Sequence, residues 1–189
     1  MILYPTETLY ALGVNALDEA EIAKLFQLKG REAGKSASWL VRDILDIELY
    51  AELGVVGAKI AARFLPGSLT LVLKAKDHVA TNVAAPDRTI GFRISSDPLA
   101  QSLIADYMAS NNAPLTCTSA NVSGSPTLST PEQILQQFGS KANKIDKIID
   151  DGPRKSLAST VVKVLNDQVE IIREGELSEA DINEAVSNV

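Results

Sequence analysis

Cysteine, histidine and tryptophan occur once each in this chain of 189 residues, and each scarcity closes off a class of chemistry. Cys117 alone allows no internal disulfide and no thiolate cluster for zinc. With His78 as the sole imidazole, a His-rich metal site cannot form. Aromatic residues make up only 5% of the chain, few for stacking unpaired bases. Cations are short as well: 18 Lys and Arg against 24 Asp and Glu leave a net charge of -6. That balance argues against a protein that holds nucleic acid through bulk positive charge. No apolar run reaches the roughly 20 residues needed to span a bilayer. No basic segment leading into an apolar core opens the chain, as a secretory signal would. The expectation is a soluble, cytoplasmic protein of a reducing compartment that does not contact membranes.

What is present is 46% apolar content, enough for one sizeable core. Without repeats, low-complexity tracts or a long linker, the chain reads as one α/β domain over residues 1–189. The stretch Pro114–Gly124 (PLTCTSANVSG) organises the rest. A β-type run ends abruptly in Ser119, Asn121 and Ser123, with Ala120 and Gly124 leaving room for close approach. Such a strand end builds a pocket in many α/β folds, although the same composition also makes a plain loop.

Strands are predicted at Met1–Tyr4, Ser38–Val41, Leu69–Ala75 (buried and central), Thr89–Ile94 and Ile145–Ile149. A hairpin follows from Ala158–Leu165 and Val169–Arg173. Asp18, with Glu21 at the reciprocal capping-box position, starts a helix with Ile22, Leu25 and Phe26 on one face. Ile44–Leu53 is a helix with Leu45, Leu49 and Tyr50 inward, and Val56–Phe64 another, stopped by Pro66-Gly67. Asp97-Pro98 and Thr130-Pro131 are two more helix starts, and Ser178 caps the last helix. Leu99, Leu103, Ile104, Tyr107 and Met108 form the apolar face of the first of these. The terminal antiparallel hairpin makes the sheet mixed.

Lys29, Arg31 and Lys35 gather at the end of the first helix. They either complement the negative end of its dipole or clamp a polyanion, Arg31 being able to fork onto a phosphate. Arg93 lies inside a strand, so it meets a protein carboxylate or faces a pocket that takes an anion.

Four stretches, PTETLYALG (Pro5–Gly13), KGR with Lys35, TSANVSG (Thr118–Gly124), and Ser159-Thr160 with Arg173, occur in an order that resembles the YrdC-like family of threonylcarbamoyl-AMP synthases. PGSLT (Pro66–Thr70) and Arg93 fall between them in the same order. The resemblance implies a YrdC-like fold: a twisted mixed β-sheet with flanking helices and an open concave cavity. It implies that L-threonine, bicarbonate and ATP, with Mg2+ on the nucleotide, become threonylcarbamoyl-adenylate and pyrophosphate. Downstream tRNA threonylcarbamoyl-transfer proteins would then modify adenosine 37, with at most a weak tRNA contact by the chain itself. By the same resemblance, Lys29 and Arg31 are the catalytic cations. Arg31, Lys35, Thr89, Ser119, Asn121, Thr127 and Arg173 bind ATP, and Thr8, Arg93, Cys117 and Ser159 bind threonine. No protein residue is assigned to a metal.

The chain departs from the family pattern in Glu32 after Arg31, Ser36-Ala37 after Lys35, the serine of PGSLT, and Ala11 after Tyr10. It resembles the short form, lacking the extra C-terminal domain. Three rivals remain in view: a Cys117 nucleophile with His78 as base, which no motif supports, an RNA-binding module, and a carbamoyl-transfer domain of the hydrogenase-maturation type.

Overall fold

In the computed structural model, which describes residues 1–31, 36–154 and 157–187, strand alternation sorts the chain onto two faces of one sheet. The strands are β1 (Ile2–Tyr4), β2 (Ala11–Gly13), β3 (Ser38–Leu40), β4 (Ala51–Glu52), β5 (Leu69–Ala75), β6 (Thr89–Arg93), β7 (Leu115–Ser119), β8 (Lys147–Ile148), β9 (Thr160–Leu165) and β10 (Gln168–Arg173). They lie in the order β10-β9-β5-β6-β3-β7-β2-β1-β8, with β4 sharing one edge of β5 with β9. Three pairings (β1 with β8, β3 with β6, β5 with β9) are parallel and the others antiparallel, so the sheet is mixed as expected. β5 is the buried central strand that its apolar run predicts.

Among the described residues six α-helices flank the sheet: α1 (Glu19–Lys29), α2 (Ile44–Tyr50), α3 (Gly54–Phe64), α4 (Pro98–Asn111), α5 (Pro131–Phe138) and α6 (Glu179–Ser187). One face carries the larger core, where Trp39 meets Tyr50 and Phe92 edge-on at 5.3 and 5.8 Å. The other carries a smaller cluster in which Ala100, Leu103, Ile104 and Met108 of α4 cover Tyr4, Ala11, Leu40 and Cys117. Beside α4 that second face stays uncovered. There β3, β5 and β6 present Ser38, Thr70, Gly91 and Arg93, the neighbours of the apolar Trp39, Leu71 and Phe92 that enter the main core. None of the helices among the described residues is long and apolar enough to cross a membrane.

The helix starts read from Asp18, Asp97, Thr130 and Ser178 all form, each side-chain oxygen accepting a first-turn N–H. The reciprocal half of the first capping box does not form: the Asp18 N–H donates to Asn15 O at 3.3 Å, and Glu21 accepts from the Lys24 ammonium at 2.8 Å. Helix α2 ends at Tyr50, and Ala51–Glu52 pairs with β5. Leu45 and Leu49 face solvent, at 73% and 54% exposure. Asp46, held by Arg42 through two bonds of 2.6 and 2.9 Å, turns the helix so that Ile47 and Tyr50 face the core. Leu99 is also exposed, in the first turn of α4. At the far end of the molecule, the left-handed Asn166-Asp167 turn of the β9–β10 hairpin brings the Asp167 carboxylate to the Val56 N–H at 3.0 Å. Asp167 thereby caps α3, whose own Leu53 supplies no cap.

Candidate functional site

The uncovered face of the sheet holds two adjoining hollows. The first, about 300 Å³, is lined by Thr6, Thr8, Arg31, Ser38, Thr70, Arg93, Cys117, Thr118, Ser119, Thr127, Ser159 and Arg173, among others. The second, about 480 Å³, is lined by Lys29, Gly30, Arg31, Thr118, Ser119, Asn121, Ser123 and Gly124. Arg31, Thr118 and Ser119 belong to both, so Arg31 stands at their junction.

Helix α1 delivers Arg31 through its C-terminal cap. Gly30 adopts φ +61°, its N–H bonds to Gln27 O and the Arg31 N–H bonds to Phe26 O. This left-handed ending favours glycine and reverses the chain, so that Arg31 leaves the helix toward the sheet. The guanidinium lies over the Phe26 ring at 5.3 Å and donates to Ser36 O at 2.8 Å and Thr118 Oγ1 at 3.4 Å. Burial pushes its pKa down, an environment that an anion would relieve.

The Pro114–Gly124 stretch resolves as β7 followed by an internally bonded loop. Ser119 Oγ donates to Asn121 Oδ1 at 2.7 Å, and the Asn121 amide donates to Val122 O and Ser125 O. Gln137 of α5 accepts from the Val122 N–H at 2.8 Å, and Ser123 N–H reaches Lys29 O at 2.8 Å. Lys29 itself is buried, its ammonium donating to Ser119 O, to Asn121 O at 2.9 Å and to Asn121 Oδ1 at 3.5 Å. Burial first, and the Arg31 charge second, push its pKa down to about 7. Lys29 and Asn121 therefore brace the loop, while Ser119 and backbone face the hollows.

Across the first hollow, Thr6 Oγ1 closes a tight turn by accepting from the N–H of Thr8 and Leu9 and donating to Leu9 O at 2.6 Å. That turn sends Thr8 to Arg93, whose Nη1 donates to Thr8 Oγ1 at 3.2 Å. Arg93 also pairs with Glu7, so both readings of the strand arginine hold: it meets a protein carboxylate and it faces a pocket. Gly91 lies on the same strand face, where a Cβ would come within 2.9 Å of Ser38 Oγ and 3.1 Å of Thr70 Cγ2. On the remaining wall, Arg173 donates to Ser159 O at 2.7 Å, and Ser159 Oγ bonds Thr70 Oγ1 at 2.9 Å. Burial, with the Arg93 charge next, pushes the Arg173 pKa down.

The structure thus brings together Thr8, Arg31, Arg93, Cys117, Ser119, Thr127, Ser159 and Arg173 around the first hollow, with Lys29 and Asn121 at the second. It does not bring Thr89 there. Thr89 shares a strand face with Gly91 and Arg93 but sits at the opposite end of β6, its hydroxyl donating to Asp87 at 2.6 Å, and Asp87 pairs with Lys163. Lys35 lies outside the described residues. Thr6, Ser38, Thr70 and Thr118 join the lining unannounced. Thr6 and Thr70 stand within the PTET and PGSLT motifs, and Thr118 precedes Ser119, whereas Ser38 carries no sequence signal of its own. Burial pushes the Cys117 thiol up and His78 is exposed on a loop outside both linings, which removes the nucleophile–base rival.

No carboxylate lines either hollow among the described residues, although the chain is acidic as a whole. Nor does any cluster of three or more His, Cys, Asp or Glu among them suit a metal ion. The described lining residues therefore do not fit a protein-held Mg2+.

A mixed sheet with six flanking helices and a cationic, hydroxyl-rich hollow on one face defines the class. The Sua5/YciO/YrdC family model, described as telomere recombination, matches residues 1–175, and the chain belongs to this family. A Methanocaldococcus jannaschii protein provisionally named as a threonylcarbamoyl-AMP synthase is 38% identical over 93% of this chain and 79% of its own length. The threonylcarbamoyl-AMP synthase of Pyrococcus abyssi is 30% identical over 100% of this chain, which spans only 54% of that relative. The crystal structure of P. abyssi Sua5 complexed with L-threonine superposes with a TM-score of 0.86 at 29% identity, over 100% of this chain and 54% of that one.

Proposed function

We propose that this chain is an L-threonylcarbamoyladenylate synthase. The observation that carries the reading is the pair of joined hollows with Arg31 at their junction, lined by four cations and no carboxylate among the described residues. Two anions can be accommodated side by side there, a triphosphate and an amino acid with its carboxylate at Arg93. The threonylcarbamoyl-AMP synthase names of its relatives, and the L-threonine bound to Sua5, supply the chemistry.

In this reading the threonine amine loses a proton and adds to CO2, or to bicarbonate with loss of water, giving an N-carboxylate. A carboxylate oxygen then attacks the α-phosphorus of ATP, the bond from that phosphorus to the α,β-bridging oxygen breaks, and pyrophosphate leaves carrying that oxygen. No covalent enzyme intermediate is needed. The protein's part is to hold two anions at reacting distance and to stabilise the charge that develops at phosphorus. Arg31 would meet that charge, and Lys29, while protonated, would add potential from beneath the loop. Ser119, Thr127 and Arg173 would hold the nucleotide, and Thr8, Arg93, Cys117 and Ser159 the threonine. Mg2+ would arrive on the phosphates. The product would pass in the cytoplasm to transfer proteins that modify adenosine 37 of tRNA. Pyrophosphate release from ATP, with threonine and bicarbonate omitted in turn, tests the reading. Dependence on both is expected, and release indifferent to threonine would overturn it.

A further inference from the structure

Glu7 is the middle residue of the Thr6–Thr8 turn and leaves it on the opposite side from both threonines, which line the cavity while Glu7 does not. Its carboxylate lies behind Arg93 instead, with the side chain only 14% exposed. One oxygen accepts from Arg93 Nη2; the other accepts from Ser95 Oγ and from the Ser96 backbone N–H at 3.2 Å. Ser95 Oγ accepts in turn from the N–H of Asp97, the residue that caps α4. One carboxylate therefore ties the turn, the end of β6 and the start of α4 to a single point. Arg93 has Glu7 on Nη2 and Thr8 on Nη1, while its Nε–H is buried with no partner among the described residues. Buried donors are rarely left unpaired.

We propose that Glu7 is a positioning residue that fixes Arg93 from behind and thereby sets the affinity of the cavity for an amino-acid carboxylate. Arg93 faces a like charge in Arg173 across the hollow, and that repulsion would drive an untethered guanidinium out of line. A carboxylate suits the anchor because both its oxygens only accept, and all three groups that meet them donate. An amide in its place would turn a donor toward either Arg93 or the Ser95–Ser96 pair. The inference rests on reading the cavity as an amino-acid site.

Titration calorimetry with L-threonine and with ATP tests it on Glu7→Gln. Threonine affinity is expected to fall about tenfold, while ATP affinity moves by less than about twofold. A second readout is independent of substrate. The Arg93 Nε–H resonance, assigned by its loss in Arg93→Lys, is expected to exchange slowly in the native chain and to disappear in Glu7→Gln. Glu7→Asp, which keeps the charge on a shorter arm, recovers part of both signals. It carries the test alone if Glu7→Gln does not fold, native threonine affinity in Glu7→Asp then overturning the proposal. Native threonine affinity with a persisting Nε–H signal in Glu7→Gln overturns it as well. If the native chain binds no threonine, the synthase reading fails by itself, and the Arg93 resonance decides the anchor: its persistence in Glu7→Gln rejects the role, its loss supports it.

Discussion

Arg31, Arg93 and Arg173 share one hollow, and like charges so placed cost energy unless something answers them. Glu7 answers Arg93. Arg31 and Arg173 meet only neutral oxygens in the described residues, Ser36 O and Thr118 Oγ1 for one, Ser159 O and Oγ for the other. Among the described residues, then, no carboxylate takes up their charge. Arg31→Ala is expected to lose about 2–4 kcal/mol of transition-state stabilisation, a fall on the order of 30- to 1,000-fold in pyrophosphate release. Near-normal turnover would reduce Arg31 to a helix-end cation. Lys29 differs, being spent on carbonyls and titrating at about 7. Above that pH the folded chain lacks a proton at Lys29 that the unfolded chain still holds, up to about 10.4. Native stability relative to Lys29→Met should therefore rise with pH from 7 toward 10, as followed by thermal melting. A flat difference would show that the ammonium stays charged in place.

At the scale of elements, two helix ends show how short-range and long-range instructions combine. The end of α1 is local: Gly30 supplies the left-handed residue and Arg31 the next N–H, so aim and charge come from adjacent positions. The start of α3 is not local, because its cap is Asp167, 111 residues further on. Asp167→Gly keeps the left-handed turn and removes the acceptor. It should cost about 1 kcal/mol in urea denaturation, with pyrophosphate release unchanged because the hairpin tip lies far from both hollows. An unaltered midpoint would mean that water caps α3 equally well. The α2 result follows the same lesson. Leu45 and Leu49 have helical spacing, yet the pairing of Arg42 with Asp46 and the contact of Tyr50 with Trp39 turn another face inward.

For the molecule as a whole, a net charge of -6 surrounds a hollow whose charged lining residues, among those described, are all cations. Small anions are drawn to such a site while a polyanion meets repulsion over the remaining surface. Raising ionic strength from about 0.05 to about 0.5 M should weaken ATP binding severalfold, and tRNA should be retained weakly at most. Tight, salt-sensitive tRNA retention without ATP binding, read by filter binding, would favour an RNA-binding module instead.

Most strand and helix identities, though not β2 or β4, the helix caps at Asp18, Asp97, Thr130 and Ser178, the antiparallel hairpin that makes the sheet mixed and the cationic, hydroxyl-rich motifs were set by neighbouring residues, and so could be read in the chain. Caps, turns and two-residue alternation act over a few positions, which a linear pattern records. Only the folded chain decided that Arg93 has Glu7 behind it, that Lys29 and Asn121 are spent on their own loop, that Thr89 stands apart from the hollow, and that Ser38 and Thr70 flank Gly91. Each of these depends on which strands became neighbours and on which donors found acceptors there. The contacts of Arg93 with Glu7, Lys29 with Asn121, and Gly91 with Ser38 and Thr70 join residues far apart in the chain, and nothing in the spacing along a single chain encodes them.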